Sequence, residues 1–207
     1  MSISYAITVC NEFVEIQKLI TFLLDKKRKE DEIIVLYDKL NGDKGVEEYL
    51  RSHSINSEFN WYPGEFRNDF SKWKNTLISL CSGDYIFQID ADEIPHNLLL
   101  ENLPIVLERN PNIELFGVPR VNTVEGLTDK HIQKWRWNVN EKGWINWPDY
   151  QTRIWKNKED IKWENKVHER IGGHKTFSFL PQEEIWSLYH NKDIKRQEKQ
   201  NQFYDTL

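Results

Sequence analysis

Asp90, Asp92 and Glu93 place three carboxyl groups within four residues, directly after the run Tyr85–Ile89. That run is apolar and β-branched and lies between Gly83 and Pro95, the pattern of a short buried strand. Residues i and i+2 of an extended chain point to the same side, so Asp90 and Asp92 can face one point in space. Their mutual repulsion there is relieved by a divalent cation, and hard oxygen ligands suit Mg²⁺ or Mn²⁺. Open α/β sheets bind ligands beyond the carboxyl ends of their strands, which makes these acids candidates for a metal–diphosphate site. The same residues also suit an acidic turn in which Asp92 or Glu93 caps a helix begun at Pro95.

The preceding chain supplies the sheet that would hold them. Ser4–Cys10 reads as a first buried strand, with Asn11 and Glu12 at its carboxyl end. Phe13, Ile16, Leu19, Ile20, Leu23 and Leu24 then recur at helical spacing up to the basic cluster at residues 26–29, whose charge complements a helix C-terminus. Glu32–Tyr37 is a second strand, ending at Asp38. This β-α-β unit implies a parallel sheet with a right-handed crossover, and thus an α/β fold. It contains neither a G-x-G-x-x-G fingerprint nor a Walker A loop. A short helix over Val46–Ser52 and a third strand over Asn56–Tyr62, stopped by Pro63 and Gly64, come next. Asp69 caps a helix over Phe70, Trp73, Leu77 and Leu80, which leads into the acidic strand. A helix from about Pro95, breaking at Pro104, and a strand over Leu115–Val121 follow. Six of the nine tryptophans fall between Trp135 and Trp163, so residues 122–150 read as an irregular aromatic lobe. Gln151–Lys156 and Ile185–Tyr189 read as strands, Lys162–Glu169 as short alternating segments around a turn, and residues 193–207 as a polar helix.

Composition narrows the function classes. The 207 residues are 39% hydrophobic and 29% charged, which suits one globular domain with a real core. A net charge of −5 argues against nucleic acid as a partner. Cys10 and Cys81 sit in apolar surroundings without zinc spacing, as expected of free thiols in a reducing compartment. With no signal sequence and no 18-residue apolar run, a cytoplasmic protein without a transmembrane segment is expected. Peripheral membrane contact through the basic stretch 192–199 stays open beside its reading as a solvated helix face.

In order and spacing, these motifs resemble the family 2 glycosyltransferases of the GT-A fold. The resemblance rests on Thr8-Val9-Cys10-Asn11-Glu12, Asp38, the segment Asp69–Asn75, Gly83–Ile86, Asp90-Ala91-Asp92-Glu93, Gln151–Asn157 and Trp163–Glu169. The last two segments are similar to those of small bacterial sugar transferases of lipopolysaccharide-core type. The resemblance implies a Rossmann-like, mostly parallel sheet with an aromatic-rich acceptor lobe. Residues 1–95 would form the nucleotide-binding half, 96–190 the acceptor half and 191–207 a C-terminal helix. It also implies inverting transfer from a nucleotide-sugar donor, a UDP-sugar by preference, to a glycan, lipid-linked or other hydroxyl acceptor, with Mn²⁺ or Mg²⁺ as cofactor. Carried over residue by residue, Asp92 would ligate the metal and Asp90 would touch ribose or metal-bound water. Thr8, Asn11, Glu12 and Asp38 would line the base and ribose pocket, Lys72 would lie near the nucleotide, and His168 would be a third metal ligand. An imidazole beside carboxylates favours Mn²⁺ over Mg²⁺.

The attacking hydroxyl must lose a proton, which calls for a general base. The chain departs from the family here, since no Glu-Asp pair stands at the usual late position. Glu169 is the first candidate, followed by Glu164 and Asp149. His190, after an apolar stretch, is a further candidate for a place near the diphosphate. A sugar-phosphate nucleotidyltransferase is the rival reading. It needs a glycine-rich basic loop after the first strand, and Thr8–Phe13 holds neither glycine nor basic residue. A non-catalytic glycan- or nucleotide-binding protein that kept the fold is the second rival.

Overall fold

The computed structural model describes residues 1–55 and 59–204. Its centre is built from apolar runs that do not alternate, as strands covered on both faces require. In chain order the first half comprises β1 (Ile3–Val9), α1 (Phe13–Lys26), β2 (Glu32–Asp38), α2 (Lys44–Ser54), β3 (Asn60–Gly64), α3 (Phe70–Ile78), β4 (Tyr85–Asp90) and β5 (Glu93–Pro95). The second half comprises α4 (Asn97–Arg109), β6 (Leu115–Val118), β7 (Arg120–Glu125), α5 (Asp129–Trp135), β8 (Gln151–Lys156), β9 (Lys162–Glu164), β10 (Arg170–Gly172), β11 (Phe177–Phe179), β12 (Leu188–Asp193) and α6 (Ile194–Tyr204).

Seven strands form one sheet in the order β11-β6-β8-β4-β1-β2-β3. β1 pairs in parallel with β2 and β4, β2 with β3, and β11 with β6, while β8 runs antiparallel between β4 and β6. The fold is therefore α/β with a mostly parallel sheet, as expected. Alternate side chains of the strands fill two separate cores. Tyr5, Ile7, Val35 and Phe87 meet the buried faces of α1, α2 and α4. Ala6, Ile34, Leu36 and Ile86 meet Trp73 and Leu77 of α3 and Trp163 of β9 on the other side. After β1 the chain moves outward to β2 and β3, and then returns to place β4 on the opposite flank. The strand order reverses between β1 and β4, a switch point where open α/β sheets place ligands. The register sets Thr8 beside both Leu36 and Asp90 at that end.

A second sheet of three strands, β5-β12-β7, stands beyond the carboxyl end of β4. β12 pairs antiparallel with β5 and parallel with β7. It sets His190 beside Glu93 on one side and Asn122 on the other.

Several boundaries differ from the sequence reading. Of the strand expected over Asn56–Tyr62, residues 56–58 lie outside the described residues, and the observed strand runs on through Pro63 and Gly64. β3 is an edge strand, where a missing N–H is tolerated. Pro95 ends β5 instead of opening a helix, and α4 starts at Asn97 with His96 as its cap. Pro104 does not break α4, because Leu99, Leu100, Leu103 and Leu107 hold the helix on the core. The strand expected over Leu115–Val121 divides at Pro119 into β6 and β7, which belong to different sheets. The residue 122–150 lobe contains the rest of β7 and helix α5. The last strand falls at Leu188–Asp193, later than the expected 185–189, and the last three residues of the expected tail helix lie outside the described residues.

Candidate functional site

A cavity of about 910 Å³ opens at the switch point, large enough for a nucleotide sugar. The β1–α1 corner contributes Thr8, Cys10, Asn11 and Glu12, and β2 contributes Asp38. Asp90 and Asp92 line it together with Lys74, Arg153 and Glu169, and His190, Lys192 and Arg196 come from β12 and α6. A smaller cavity of about 260 Å³, lined by Asn122, Trp137, Asn146 and Asp149, shares Arg120, His190 and Lys192 with the first.

The two aspartates differ in their partners. Asp90 pairs through Oδ2 with Nη2 of Arg153, which is itself buried on β8. Burial alone raises the Asp90 pKa, but the positive charges of Arg153 and Lys74 outweigh it and hold the carboxyl below the ordinary range. Oδ2 of Asp92 lies 3.2 Å from Nε2 of His190 and 3.3 Å from Nη2 of Arg196. Burial again opposes ionisation, and the His190 hydrogen bond with the charges of His190, Lys192 and Arg196 brings the Asp92 carboxyl well below the usual carboxylate pKa. Both acids are thus carboxylates at neutral pH.

The orientation of His190 follows from its neighbours. Nδ2 of Asn122 donates to Oδ2 of Asp149 at 2.6 Å, which turns its Oδ1 toward Nδ1 of His190, 2.8 Å away. Nδ1 must then carry a proton to donate to that oxygen. In neutral His190 the lone pair therefore sits on Nε2, facing the Asp92 carboxylate. Two electron-pair donors aimed at one point are the arrangement that a cation, or a second proton on the ring, resolves. Among the described residues no three His, Cys, Asp or Glu side chains converge as a metal cage. A carboxylate and an imidazole instead fit an Mn²⁺ or Mg²⁺ whose coordination is completed by substrate phosphates and water.

The other predicted residues fall into two groups. Thr8, Asn11, Glu12, Asp38, Asp149 and Glu169 line a cavity. Lys72 is exposed and pairs with Asp69, Glu164 is exposed beside Arg170, and His168 is exposed, so the structure does not bring these three to the site. Lys72 misses by helical phase: Trp73, Lys74 and Leu77 form the buried face of α3, and Lys74 is the lysine that reaches the cavity. Its Nζ lies 2.6 Å from Oε1 of Glu169 and 4.2 Å from the centre of the Trp163 ring. His168 adopts a left-handed backbone (φ 53°), while Glu169 next to it lines the cavity.

Three of the acids are heavily engaged with their own surroundings. Oε2 of Glu12 accepts the Cys10 and Asn11 amides, and its Oε1 meets Arg196 at 3.3 Å. Asp38 accepts from the amides of Leu40 and Phe66 and from the side chain of Asn41. Asp149 accepts two bonds from Arg120, one from Asn122 and one from the side chain of Gln151. With these donors on its oxygens, Asp149 is built to hold neighbours in place more than to take up a proton. Glu93 is fully buried, joins Arg120 and Arg153, and accepts the Asp90 amide, so it braces the acidic turn and caps no helix.

The sequence reading gave no place at the cavity to Lys74, Asn122, Lys192 or Arg196, and read the last two only as part of a basic stretch open to solvent or a membrane. Lys74 carried a signal, as a lysine on an otherwise apolar helix face. Asn122 and Lys192 arrive through the distant pairing of β7 with β12, and Arg196 on the helix that follows β12.

The family model described as glycosyl transferase family 2 matches residues 4–186. A comparison with curated proteins gave no match. Among solved structures, S. aureus TarS 1–349 in complex with UDP-GlcNAc superposes with a TM-score of 0.62 at 12% identity, covering 93% of this chain and 59% of that one. The same protein in complex with UDP gives a TM-score of 0.61 at 12% identity, with 92% and 60% covered. A longer TarS structure gives 0.63 at 11% identity, with 92% and 37% covered. At such identities the likeness is one of fold. The chain spans about 60% of the length of TarS 1–349.

Proposed function

The chain belongs to glycosyl transferase family 2, and from that premise we propose that it is an inverting glycosyltransferase that moves a sugar from a nucleoside-diphosphate sugar to a hydroxyl acceptor. The observation that carries this reading is the cavity at the β1/β4 switch point, with Asp90 and Asp92 on its wall and room for a nucleotide sugar. A UDP-sugar is the preferred donor. The resemblance of Thr8, Asn11 and Asp38 to base- and ribose-lining positions supports it, as does a fold shared with a protein solved with UDP-GlcNAc.

Asp92 and His190 would hold a divalent cation, with Asp90 at its outer side. Bound there with the donor, the cation supplies Lewis-acid neutralisation of the departing diphosphate. Because the protein offers two close ligands and not a cage, a donor diphosphate would strengthen the binding of a cation held by Asp92 and His190. Asn122, locked by Asp149, keeps Nε2 of His190 turned inward. Arg153 and Glu93 keep Asp90 in place. The acceptor enters from the smaller cavity, where Trp137 offers a ring for stacking on a sugar and Asn146 a hydrogen-bonding amide. Glu169 accepts the acceptor's proton, steered by Lys74. The nucleotidyltransferase reading loses ground because the β1–α1 corner lining the cavity holds one acid, Glu12, and no basic residue.

Differential scanning fluorimetry with nucleoside diphosphates tests the donor site. UDP with Mn²⁺ should raise the melting temperature well beyond either alone. His190→Ala should remove that synergy, and His168→Ala should keep it. No shift with any nucleoside diphosphate and metal rejects the donor site, and loss of synergy in the His168 variant alone rejects the ligand assignment.

A further inference from the structure

Arg196 stretches across the mouth of the large cavity. Its backbone amide donates to Oδ1 of Asp193 at the start of α6, yet its guanidinium ends on the opposite wall, 2.7 Å from Oε1 of Glu15 and 3.3 Å from Oε1 of Glu12. The same group stands 3.3 Å from Oδ2 of Asp92. One side chain thus joins the C-terminal helix, the start of α1 and the acidic turn. The Arg196 side chain is about 30% exposed, and Lys192 and Lys199 from the same β12–α6 corner line the cavity beside it. A guanidinium is permanently charged and matches phosphate oxygens through its planar fork. Its present partners are three carboxylates, of which Asp92 is the one a divalent cation would also take.

We propose that Arg196 is the resident counter-cation of the donor-free site and moves onto the donor's diphosphate when metal and donor enter. The inference rests on the donor reading given above. It follows from charge balance. Asp92 cannot keep Arg196 at 3.3 Å and ligate a divalent ion through the same oxygen without the two cations repelling each other. A diphosphate lying along the cavity gives Arg196 an anionic partner within the reach of its own side chain, and Glu15 and Oε1 of Glu12 then give up that cation while Oε2 of Glu12 keeps the Cys10 and Asn11 amides. Arg196 therefore opposes metal binding in the empty site and favours diphosphate binding in the filled one. Metal and donor become mutually dependent, because each removes the cost that Arg196 sets on the other. Lys192 and Lys199 stay within the same wall and extend the positive surface along the diphosphate.

The test measures binding, not turnover. Isothermal titration of wild type and Arg196→Met should be run with Mn²⁺ alone, with UDP plus Mn²⁺, and with uridine, which lacks the diphosphate. The variant should bind Mn²⁺ alone about five- to tenfold more tightly and UDP plus Mn²⁺ about tenfold more weakly, within the range of ordinary site couplings, with uridine unchanged. Arg196→Lys, which keeps the charge but loses the fork, should fall between the two. A merely structural role weakens all three ligands together, so affinities that move in one direction overturn the proposal, as does a variant indistinguishable from wild type. A wild type that binds no nucleoside diphosphate, while Arg196→Met still takes Mn²⁺ more tightly, rejects the donor reading and the diphosphate half of the proposal and leaves the cation exchange standing.

Discussion

Replacing Arg153 by Met should destabilise the protein more than any other single change at the acidic turn. Arg153 is 3% exposed, and its Nη2 bridges Oε1 of Glu93 at 2.7 Å and Oδ2 of Asp90. Burial would disfavour its charge, but Asp90 and Glu93 raise its pKa, so it stays a cation at every accessible pH. Removing one partner of a buried pair costs about 3–5 kcal/mol. Two features set the lower end. Glu93 keeps a second cation, Arg120, at 2.9 Å, and Asp90 is 34% exposed and can rehydrate. Nε of Arg153 also finds no partner among the described residues, which lowers what the native side chain contributes. A loss of about 3 kcal/mol follows, or roughly 6–12 °C in melting temperature for a domain of this size. Urea and thermal denaturation of Arg153→Met, Glu93→Gln, Asp90→Asn and the two double variants measure it. The coupling of Arg153 to fully buried Glu93 should exceed its coupling to Asp90. A melting temperature within 2 °C of wild type, or equal couplings, would refute the claim that burial sets the strength of these pairs.

Glu169→Gln should lower kcat by about 100-fold or more while UDP and Mn²⁺ still bind, as loss of a general base requires; an unchanged kcat discards Glu169 in that role. Cys10 should resist alkylation: burial first, then the carboxylates of Asp38 and Glu12, push its thiol up to about 12. The reactive thiolate is then the rare form at pH 8, and iodoacetamide should react about 1,000-fold more slowly than with a free cysteine. The rate should rise with pH up to about 12 and partly recover in Asp38→Asn, whereas free-thiol reactivity at Cys10, read by peptide mass spectrometry, contradicts the burial argument. Gly173→Ala puts a side chain at φ 81° with its Cβ 1.7 Å from the Asp160 carbonyl oxygen. It should cost about 2 kcal/mol or more in urea denaturation from backbone strain of that kind, and a neutral result would mean that the loop after β10 can rearrange freely.

The parts of the fold that were legible in the sequence are those set by local pattern. Unbroken apolar runs marked β1, β2 and β4, and their carboxyl ends placed Thr8, Asp38, Asp90 and Asp92 on one rim before any contact was known. What depends on phase or on long-range pairing was not legible. Lys72 and Lys74 stand two residues apart on α3, and only the second lies on the face that Trp73 and Leu77 bury. His168 and Glu169 are neighbours, but a left-handed backbone at His168 leaves the histidine exposed and the acid at the cavity. That His190 faces Asp92 could not be read locally, because its strand partners, β5 and β7, lie roughly 70 to 100 residues upstream and no local pattern announces a pairing over such a distance. Glu93 looked like a helix cap because Pro95 looked like a helix start; the two arginines that claim it come from β7 and β8.

Among the described residues β12 is the last strand, yet it lies in the middle of its sheet, between β5 and β7. During synthesis the N-terminal segments leave the ribosome first, at some 5–20 residues per second. The seven-stranded sheet has all its strands once Phe179 has emerged, but β5 and β7 then have no strand between them and Asp92 has no imidazole partner. The site closes only when the segment from Leu188 to Asp193 slots in, with Arg196 directly behind it. All seven strands of the main sheet therefore precede, in the chain, the strand that completes the wall facing Asp92. A stop codon just ahead of Leu188 would keep the two aspartates and all of both cores but Leu188, and would remove the wall that faces the aspartates.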